Sequence, residues 1–381
     1  MKKLILIGGG HAHVEVLRQF GHLRSQQRPP GVEITLVSPD RHTPYSGMLP
    51  GLVAGHYRFE QCHIDLQPLA AYAGARHMPM EARSLDAARQ VITLSDGATL
   101  AYDIASINVG STPIVQGVDG AAAHAIMVKP VAAFLMQWAK LIERVRAGEV
   151  KSIAVVGGGA AGVEMLLAMQ HTFAHTTPRP EIDYRIVTDA PQLLMQHAPG
   201  VRAVMARTLA RKRITVHCAL RVTRVAAREL VALNAQNHEQ RIAADAMLWV
   251  TGAAPAAWLE HSGLAMGDRK FLNINKSLQS SSHSSVFAAG DCATIAGERY
   301  PKSGVYAVRQ GVVLANNLRA ALDGAALQTY TPQPRALALI STGERHAIAS
   351  WGALSVHGNW VWRWKDSIDQ AFMAKYRDLP A

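Results

Sequence analysis

The sequence predicts an α/β protein with two domains that each begin with a β-α-β unit, followed by a small C-terminal α+β region. A short apolar run that ends in three glycines occurs twice, at residues 3–10 and 152–159. In both places a helical pattern and a second apolar strand follow. The length of 381 residues is also too great for one ordinary domain and suits two or three.

Composition narrows the class of protein. Hydrophobic residues make up 49% and charged residues 18%, which supports sizeable cores and excludes wholesale disorder. No apolar run is long enough for a transmembrane helix or a secretory signal. Cys62, Cys218 and Cys292 lie far apart, so neither a disulfide framework nor a cysteine zinc site is expected, and a reducing cytoplasm fits. The net charge of +11 favours anionic ligands, yet no nucleic-acid-binding module accompanies it.

The first β-α-β unit contains a glycine fingerprint with one departure. Gly8-x-Gly10 follows a predicted strand and opens a helix, so the backbone can approach a pyrophosphate at the helix N-terminus. The third position of the fingerprint, which usually holds a small residue, is His13. A metal-binding His11-x-His13 pair is a weak alternative, because no matching series of ligands follows; we expect no metal.

The second unit has the intact fingerprint Gly157-x-Gly159-x-x-Gly162. It follows a clear strand and starts a helix, which is the context that makes the motif informative. Asp189 ends the next strand, and an acid there suits the ribose 2′-hydroxyl of NADH better than the 2′-phosphate of NADPH. Two such fingerprints predict two Rossmann-like dinucleotide-binding domains.

Each domain closes with a strand, a glycine and a proline, at Gly110 to Pro113 and Gly252 to Pro255. We place the hinge between the domains near Gly120. The other predicted elements before the tail are a helix over 131–145, a buried strand over 286–289 and a helix over 305–322.

The tail from residue 336 predicts antiparallel β-structure with turns at Gly343 and Gly358. A last helix is predicted over 367–376, with Asp366 as its N-cap. The three tryptophans of the tail would share one face of a strand, and an apolar stripe on the helix is open to two interpretations, core or dimer contact and a membrane-facing surface. These residues are Trp360, Trp362 and Trp364 on the strand and Ile368, Phe372, Met373 and Tyr376 on the helix.

Together these motifs resemble the two-dinucleotide-binding-domain flavoproteins, the pyridine nucleotide-disulfide oxidoreductase superfamily. The resemblance covers nearly the whole chain and rests on both fingerprints, both closures and Ala288-Ala289-Gly290-Asp291. The lack of a dithiol and the tail are most similar to type II NADH dehydrogenases and sulfide:quinone oxidoreductases. Residues 8–14, 43–51 and 302–311 resemble the flavoprotein module associated with selenophosphate synthase.

The resemblance implies FAD in the first domain, and NADH or NADPH as substrate in the second. The implied division of the chain is a first part of the FAD-binding domain at 1–120, an NAD(P)H-binding domain at 121–262, a second part of the FAD-binding domain at 263–325, and a C-terminal β/α region at 326–381.

The resemblance also implies the residues of each site. Those for FAD are Gly8, Gly9, Gly10, His11, Ala12, Ser38, Asp40, Gly110, Gly290 and Asp291, where Ser38 stands at the place of the family's ribose-binding acid and Asp40 is its substitute. Those for NAD(P)H are Gly157, Gly159, Gly162, Asp189 and Gly252. The implied catalytic residues are Glu164, near the nicotinamide and flavin rings, and Lys302, near the pyrimidine end of the flavin.

The implied function is that of a FAD-dependent NAD(P)H oxidoreductase that passes electrons to a quinone or another small acceptor without a redox-active disulfide. We expect a cytoplasmic protein. Two further questions stay open: whether its C-terminal region contacts the inner face of the membrane, and whether it forms a homodimer. A redox-sensing or partner-docking flavoprotein linked to selenium metabolism is one alternative. A sulfide or selenide:acceptor oxidoreductase is the other.

Overall fold

The structure is a computed structural model that describes residues 1–22, 31–298 and 300–380. Its strands, in chain order, are β1 (Lys2–Ile7), β2 (Val32–Val37), β3 (His42–Pro44), β4 (His63–Asp65), β5 (Arg76–Met78), β6 (Ala82–Asp86), β7 (Val91–Leu94), β8 (Thr99–Ala101), β9 (Ile104–Ile107), β10 (Thr112–Pro113), β11 (Ile126–Met127), β12 (Ser152–Val156), β13 (Asp183–Val187), β14 (Thr215–His217), β15 (Arg221–Ala226), β16 (Glu229–Leu233), β17 (Glu239–Ala243), β18 (Ala246–Trp249), β19 (Ala253–Ala254), β20 (Leu272–Ile274), β21 (Val286–Ala288), β22 (Ala293–Ile295), β23 (Ala338–Thr342), β24 (Glu344–Trp351) and β25 (Leu354–Gly358). Its α-helices are α1 (His11–His22), α2 (Leu49–Val53), α3 (Phe59–Cys62), α4 (Leu66–Tyr72), α5 (Ala121–His124), α6 (Val131–Arg146), α7 (Ala160–Ala174), α8 (Pro199–Arg211), α9 (Gly304–Asp323) and α10 (Asn359–Arg377). Short 3-10 turns lie at Ser46–Met48, Ala257–His261, Asp268–Lys270 and Gly290–Cys292.

Two parallel five-stranded sheets organise the molecule. The first has the order β21-β9-β1-β2-β5 and the second has the order β11-β18-β12-β13-β14. The glycine-rich segments that the sequence repeats follow β1 and β12, the central strands of the two sheets. The second sheet therefore repeats the order of the first, except that its edge strand β11 precedes the central strand in the chain whereas β21 comes long after β1. The predicted α/β fold with two Rossmann-like units is confirmed.

The central strands are buried because both faces of the sheets are covered; in the second domain α6, α7 and α8 pack on one face and the antiparallel sheet β15-β16-β17 on the other. Leu4, Leu6 and the whole of β12 are buried, and such strands are apolar runs without alternation. A three-stranded antiparallel sheet is inserted before the return strand of each domain, β6-β7-β8 in the first and β15-β16-β17 in the second. The two closures that the sequence predicts pair with each other, since β10 and β19 form an antiparallel ladder.

The C-terminal region confirms β-structure but corrects two predictions for the tail. The antiparallel sheet β23-β24-β25 turns at Gly343 as predicted, but its second turn lies at Gly352 (φ +57°), and Gly358 instead ends β25. Helix α10 begins at Asn359, so the tryptophans lie on a helix and not on a strand, and Asp366 is not its N-cap.

The tryptophans at alternate positions suggested a strand, but the buried residues of α10 follow the period of a helix. Trp362 is 8% exposed, whereas Trp360 is 56% exposed and stacks on Trp364 one turn away. Phe372 and Tyr376 are buried, which decides for the core interpretation of that part of the stripe. Among residues 1–22, 31–298 and 300–380, no helix combines the length and the apolar character that crossing a bilayer requires.

Candidate functional site

The first glycine turn fits tightly around the end of β9. A Cβ on Gly8, which has φ +92°, would lie 2.6 Å from the Asn108 carbonyl oxygen. A Cβ on Gly10 would lie 2.3 Å from Oδ1 of the same asparagine. One on Gly9 would lie 2.5 Å from the Leu66 side chain. Gly8 and Gly10 are therefore required by the backbone at Asn108, whereas a side chain on Gly9 would need the Leu66 side chain to move.

Asn108 holds this turn together, and the sequence analysis did not single it out. Its Oδ1 accepts hydrogen bonds from the backbone N–H groups of Ala12 (3.0 Å) and His13 (3.3 Å) at the start of α1. Its Nδ2 donates to the Ala289 carbonyl (2.6 Å). The only signal in the sequence was its place directly after a buried strand, at the carboxyl edge where open α/β sheets bind ligands.

His13 occupies the third position of the fingerprint as a buried hydrogen-bonding residue. Nδ1–H donates to the Gly8 carbonyl (2.6 Å), and Nε2 accepts from the Ser106 hydroxyl (2.8 Å). Burial lowers its pKa to about 4, so the ring is neutral at physiological pH. Both ring nitrogens are thus engaged inside the protein, which leaves this histidine no free nitrogen for a metal.

The Gly-Asp turn lies beside the first glycine turn. Gly290 has φ +74°, and a Cβ there would lie 2.6 Å from Asn108 Nδ2. The Asp291 carboxylate accepts from Lys129 Nζ (3.2 Å) and from the Ser111 hydroxyl (3.4 Å). Lys129 was also missed, because its approach to Asp291 depends on a contact across distant parts of the chain.

His11 connects these groups. Burial lowers its pKa to about 4, and the charges of Asp291 and Lys129 act on it. Its Nε2 is buried without a hydrogen-bond partner among the described residues. Buried polar atoms are rarely left unpaired, so an unpaired Nε2 beside a glycine cradle fits a polar ligand at this position.

The two residues predicted to contact the adenosine ribose, Ser38 and Asp40, differ in their exposure to solvent. Ser38 is buried at the end of β2, and its hydroxyl donates to the Asp40 carbonyl (3.4 Å). Asp40 is exposed. Gly110 has φ +71° and open space around it.

The second glycine turn differs from the first at one position. A Cβ on Gly162 would lie 2.0 Å from the Gly157 carbonyl oxygen, and a Cβ on Gly157 would lie 2.2 Å from the Val250 carbonyl oxygen. Gly159, in contrast, has an ordinary φ of −78° and nothing within 4 Å of its Cβ position. Its space is open at the N-terminus of α7, where a pyrophosphate can bind. Asp189 lies exposed after β13.

Glu164 projects from α7 to the C-terminal sheet. Its Oε1 accepts from the Ser341 backbone N–H (2.8 Å) and hydroxyl (3.0 Å). Burial raises the pKa of this carboxyl, although the charge of Lys365 opposes the shift. Lys365 Nζ in turn donates to Asp369 (2.5 Å) and to the Gly47 carbonyl (2.7 Å).

Aromatic contacts link this cluster to the first turn. The Tyr45 ring stacks on Phe372 at 4.3 Å, and the His11 ring lies 5.6 Å from Tyr45 and 6.2 Å from Phe372. Tyr45 also hydrogen-bonds the Asp369 carboxyl. The tail therefore lies between the two turns: its Phe372 ring contacts His11, and the charge of its Lys365 acts on Glu164.

Lys302 is not a solvated surface lysine. Its Nζ donates to the Ala293 carbonyl and to the Thr294 hydroxyl (2.8 Å), and it lies 4.3 Å from the centre of the Phe271 ring. Burial lowers its pKa to about 8, while Asp291 acts in the opposite direction. It lies on the Gly-Asp side of the first domain.

A small cavity of about 10 Å³ lies beside Ser341, the hydrogen-bond partner of Glu164. It is lined by Pro50, Gly51, Ala54, His56, Tyr57, Ser341, Gly343, Trp362 and Lys365. The three cysteines are separate thiols, and burial raises the pKa of Cys62 to about 12 and that of Cys292 to about 11. In the described part of the chain, no group of three or more His, Cys, Asp or Glu side chains could hold a metal ion.

Comparison with known proteins finds a family match over most of the chain. Residues 2–311 match the family described as pyridine nucleotide-disulphide oxidoreductase. The NADH dehydrogenase-like protein YutJ of Bacillus subtilis is 24% identical over 87% of this chain and 87% of its own. Ferroptosis suppressor protein 1 of Xenopus tropicalis is 30% identical over 53% of this chain, and the match spans only 54% of that protein.

Solved structures share the fold over the whole chain. The sulfide:quinone oxidoreductase of Aquifex aeolicus superposes with a TM-score of 0.82 at 18% identity, covering 99% of this chain and 92% of its own. NDH2 of Plasmodium falciparum in complex with NADH gives a TM-score of 0.80 at 15% identity, covering 100% and 99%.

Proposed function

The chain belongs to the pyridine nucleotide-disulphide oxidoreductase family, whose members bind FAD and use NADH or NADPH, and on this basis we propose that it is an NAD(P)H:quinone oxidoreductase without a redox-active disulfide. One observation carries the proposal. Ring contacts and hydrogen bonds lead from the first glycine turn at His11, through Tyr45 and Phe372, to the Lys365–Asp369 pair. The charge of Lys365 in turn acts on Glu164 on the second glycine helix.

The first turn would hold FAD. Its glycine cradle, the unpaired Nε2 of His11 and the Asp291 carboxylate together fit a dinucleotide with a pyrophosphate and a polyol chain. In this assignment the ion pair with Lys129 orients the Asp291 carboxylate. Residues 1–120 and 263–325 would form the FAD-binding domain, and residues 326–381 would close it.

The second turn, within 121–262, would hold NAD(P)H. Gly159 leaves open space at the N-terminus of α7, and no internal contact requires a glycine there. Asp189 is exposed at the end of β13, where a carboxylate accepts hydrogen bonds from a ribose and repels a 2′-phosphate. NADH is therefore the favoured substrate.

When bound, FAD would supply two-electron chemistry between NAD(P)H and the acceptor. The chain would supply the proton chemistry. Both hydrogen bonds from Ser341 go to Oε1 of Glu164, which leaves Oε2 as the oxygen that can carry a proton. Because burial raises the pKa of this carboxyl, it can hold that proton closer to neutral pH than an exposed glutamate can.

The acceptor would bind at the mouth of the cavity beside Ser341, because the cavity itself, at about 10 Å³, has room for about one water molecule. The rings of Tyr57 and Trp362 lie parallel within 13°, and Lys365 provides a cation at the cavity wall. Flat aromatic walls with one cation suit a quinone, whose ring stacks and whose carbonyl oxygens become anionic on reduction.

An exposed apolar surface near this cavity supports contact with an anionic membrane, where a quinone dissolves. Exposed large apolar side chains concentrate in residues 351–368, with exposed Arg363 and Lys375 on α10. We name this the tail patch: Trp351, Leu354, Val356, Trp360, Trp364 and Ile368. The wild-type protein should bind anionic vesicles in a salt-sensitive way, and replacing Trp360 and Trp364 by Ser should abolish this binding. A wild-type protein that binds no vesicles but forms a dimer, which the same changes dissociate, would contradict the membrane contact.

The test of the function is anaerobic. The purified protein should carry FAD, NADH should bleach the flavin, and a quinone should restore its colour. Protein that cannot be reconstituted with FAD, or a reduced flavin that no quinone in a panel reoxidises, would overturn the proposal.

A further inference from the structure

Three histidines lead from the surface to the cavity. His175 is exposed at the end of α7, and its ring centre lies 4.2 Å from that of His171. The His171 ring centre lies 5.1 Å from that of His56, which lines the cavity. These are distances between ring centres, and they leave neighbouring imidazoles close enough for a proton to pass through one water.

Backbone contacts fix the protonation pattern at both ends of the row. Carbonyl oxygens only accept, so His56 donates Nε2–H to the Gly343 carbonyl (2.9 Å) and keeps Nδ1 as an acceptor. His175 donates Nδ1–H to the His171 carbonyl (2.7 Å) and keeps Nε2. Between them, Nδ1 of His171 is buried without a hydrogen-bond partner among the described residues.

The packing leaves His171 and His56 little freedom to move apart. Gly343, at φ +84°, is pressed against α7 so closely that a Cβ would lie 2.2 Å from the Leu167 carbonyl oxygen. The Thr172 hydroxyl also donates to the Val53 carbonyl (2.5 Å), which fixes α7 to α2. The row is thus held by backbone contacts on both sides.

Burial and the nearby charges disfavour the protonated forms of His171 and His56, so a proton would not rest on either ring. Burial lowers the pKa of His171 to about 4, and His175, His56 and Lys212 add to this shift while Glu344 opposes it. Burial also lowers the pKa of His56; Arg345 and His175 add to that shift, and the Gly343 hydrogen bond and Asp366 oppose it.

The proposed reaction requires a proton from solvent. NAD(P)H, one proton and a quinone give NAD(P)⁺ and a quinol: the two electrons and one hydrogen come from NAD(P)H, and the second hydrogen comes from water. Resting on the proposed function, we propose that His175, His171 and His56 form a relay that delivers this proton to the cavity.

The test separates proton delivery from electron transfer. His171→Leu removes the middle ring nitrogens and keeps an apolar side chain on the helix. Reduction of a short-chain quinone should fall about tenfold or more, whereas reduction of ferricyanide, which consumes no proton, should keep its rate. Added imidazole should restore part of the quinone rate, and the solvent deuterium isotope effect on that rate should grow.

His346→Leu is the matched control, because this half-buried histidine contacts His357 and belongs to a separate pair. It should leave both rates unchanged. His175→Leu, at an exposed position that tolerates substitution, should reproduce the selective loss. Unchanged quinone turnover in His171→Leu and His175→Leu, or equal loss with both acceptors, would overturn the relay. Wild-type protein that reduces ferricyanide but no quinone would instead contradict the proposed function.

Discussion

The two glycine turns solve the same packing problem in different ways. Each must bring a helix close to the preceding strand. In the second turn the third position has no side chain, because any Cβ on Gly162 would meet the Gly157 carbonyl oxygen at 2.0 Å. In the first turn the same position holds His13, whose ring bonds the Gly8 carbonyl and Ser106. The second turn thus packs closely because Gly162 has no side chain, and the first because both ring nitrogens of the buried His13 form hydrogen bonds.

The turns also differ in the atoms that surround their glycines. Gly8 and Gly10 of the first turn are required by neighbouring backbone atoms, whereas Gly159 in the second turn has open space around it. Since no protein atom requires a glycine at position 159, the open space there is best explained by a bound ligand. This is the strongest internal sign of a ligand at the second turn.

The largest expected effect comes from adding a side chain to the second turn. Gly162→Val should destabilise the protein by about 4 kcal/mol, because the added carbons meet backbone that cannot move away. Urea unfolding would measure the loss. Gly159→Ala is the matched control and should unfold like the wild type; equal losses in both variants would remove the distinction between the two glycines.

Removing the side chain from the first turn should cost somewhat less. His13→Ala deletes two buried hydrogen bonds and leaves a cavity, so we expect a loss of about 3 kcal/mol. His13→Gln, which can still donate and accept, should recover part of it in the same unfolding experiment. A His13→Gly variant as stable as the wild type would show that the imidazole is dispensable.

The first turn should make the stability of the protein sensitive to acid. His13 has a folded pKa of about 4 against 6.5 for the free side chain, so the unfolded chain binds more protons between these values. Its contribution is fully present above pH 6.5 and is lost as pH falls towards 4, by on the order of 3 kcal/mol. His13→Gln should make that part of the stability–pH curve less steep, while His11 and His171, whose pKa is also lowered to about 4, keep their contributions. An unchanged slope would contradict the assignment of a buried neutral ring.

Acidic residues should separate the two ligands. Asp291→Ala should weaken FAD retention about tenfold, because a charge-assisted hydrogen bond to the ligand is lost. Asp189→Ala should keep FAD and weaken NADH binding instead. Flavin release and NADH titration measure the two effects, and a reversed or shared pattern would show that the turns are wrongly assigned.

The smallest effect is expected at the thiols. Changing Cys62, Cys218 and Cys292 together to Ala should leave NADH-driven flavin reduction within about twofold, since burial raises the pKa of each thiol and suppresses its thiolate. Stopped-flow reduction of the folded, FAD-loaded variant measures this. A selective loss of turnover would place a cysteine in the electron path.

Local patterns predicted the elements whose signals lie close together in the sequence. Both central strands, their glycine turns and helices α6 and α9 were confirmed, because each has its own periodicity and end signals. The tail was partly wrong, since three tryptophans at alternate positions imitate a strand while the core contacts of α10 impose a helix.

The contacts that build the site could not be predicted in the same way. Asn108 acts by bonding α1 and Ala289, and Lys129 acts by reaching Asp291. The unpaired nitrogens of His11 and His171 appear only when tertiary packing buries them. The individual residue roles and the domain boundaries stay predictions.

Gly159→Val tests the central claim most directly, that the first turn binds FAD and the second binds NAD(P)H. Its backbone is in an extended conformation (φ −78°, ψ 177°) that valine adopts, and nothing lies within 4 Å of the Cβ position. We predict a melting temperature and FAD content like those of the wild type and NADH affinity weakened by about tenfold or more, because the side chain fills the space for the pyrophosphate. Unchanged NADH affinity, or loss of FAD with NADH binding intact, would contradict the account.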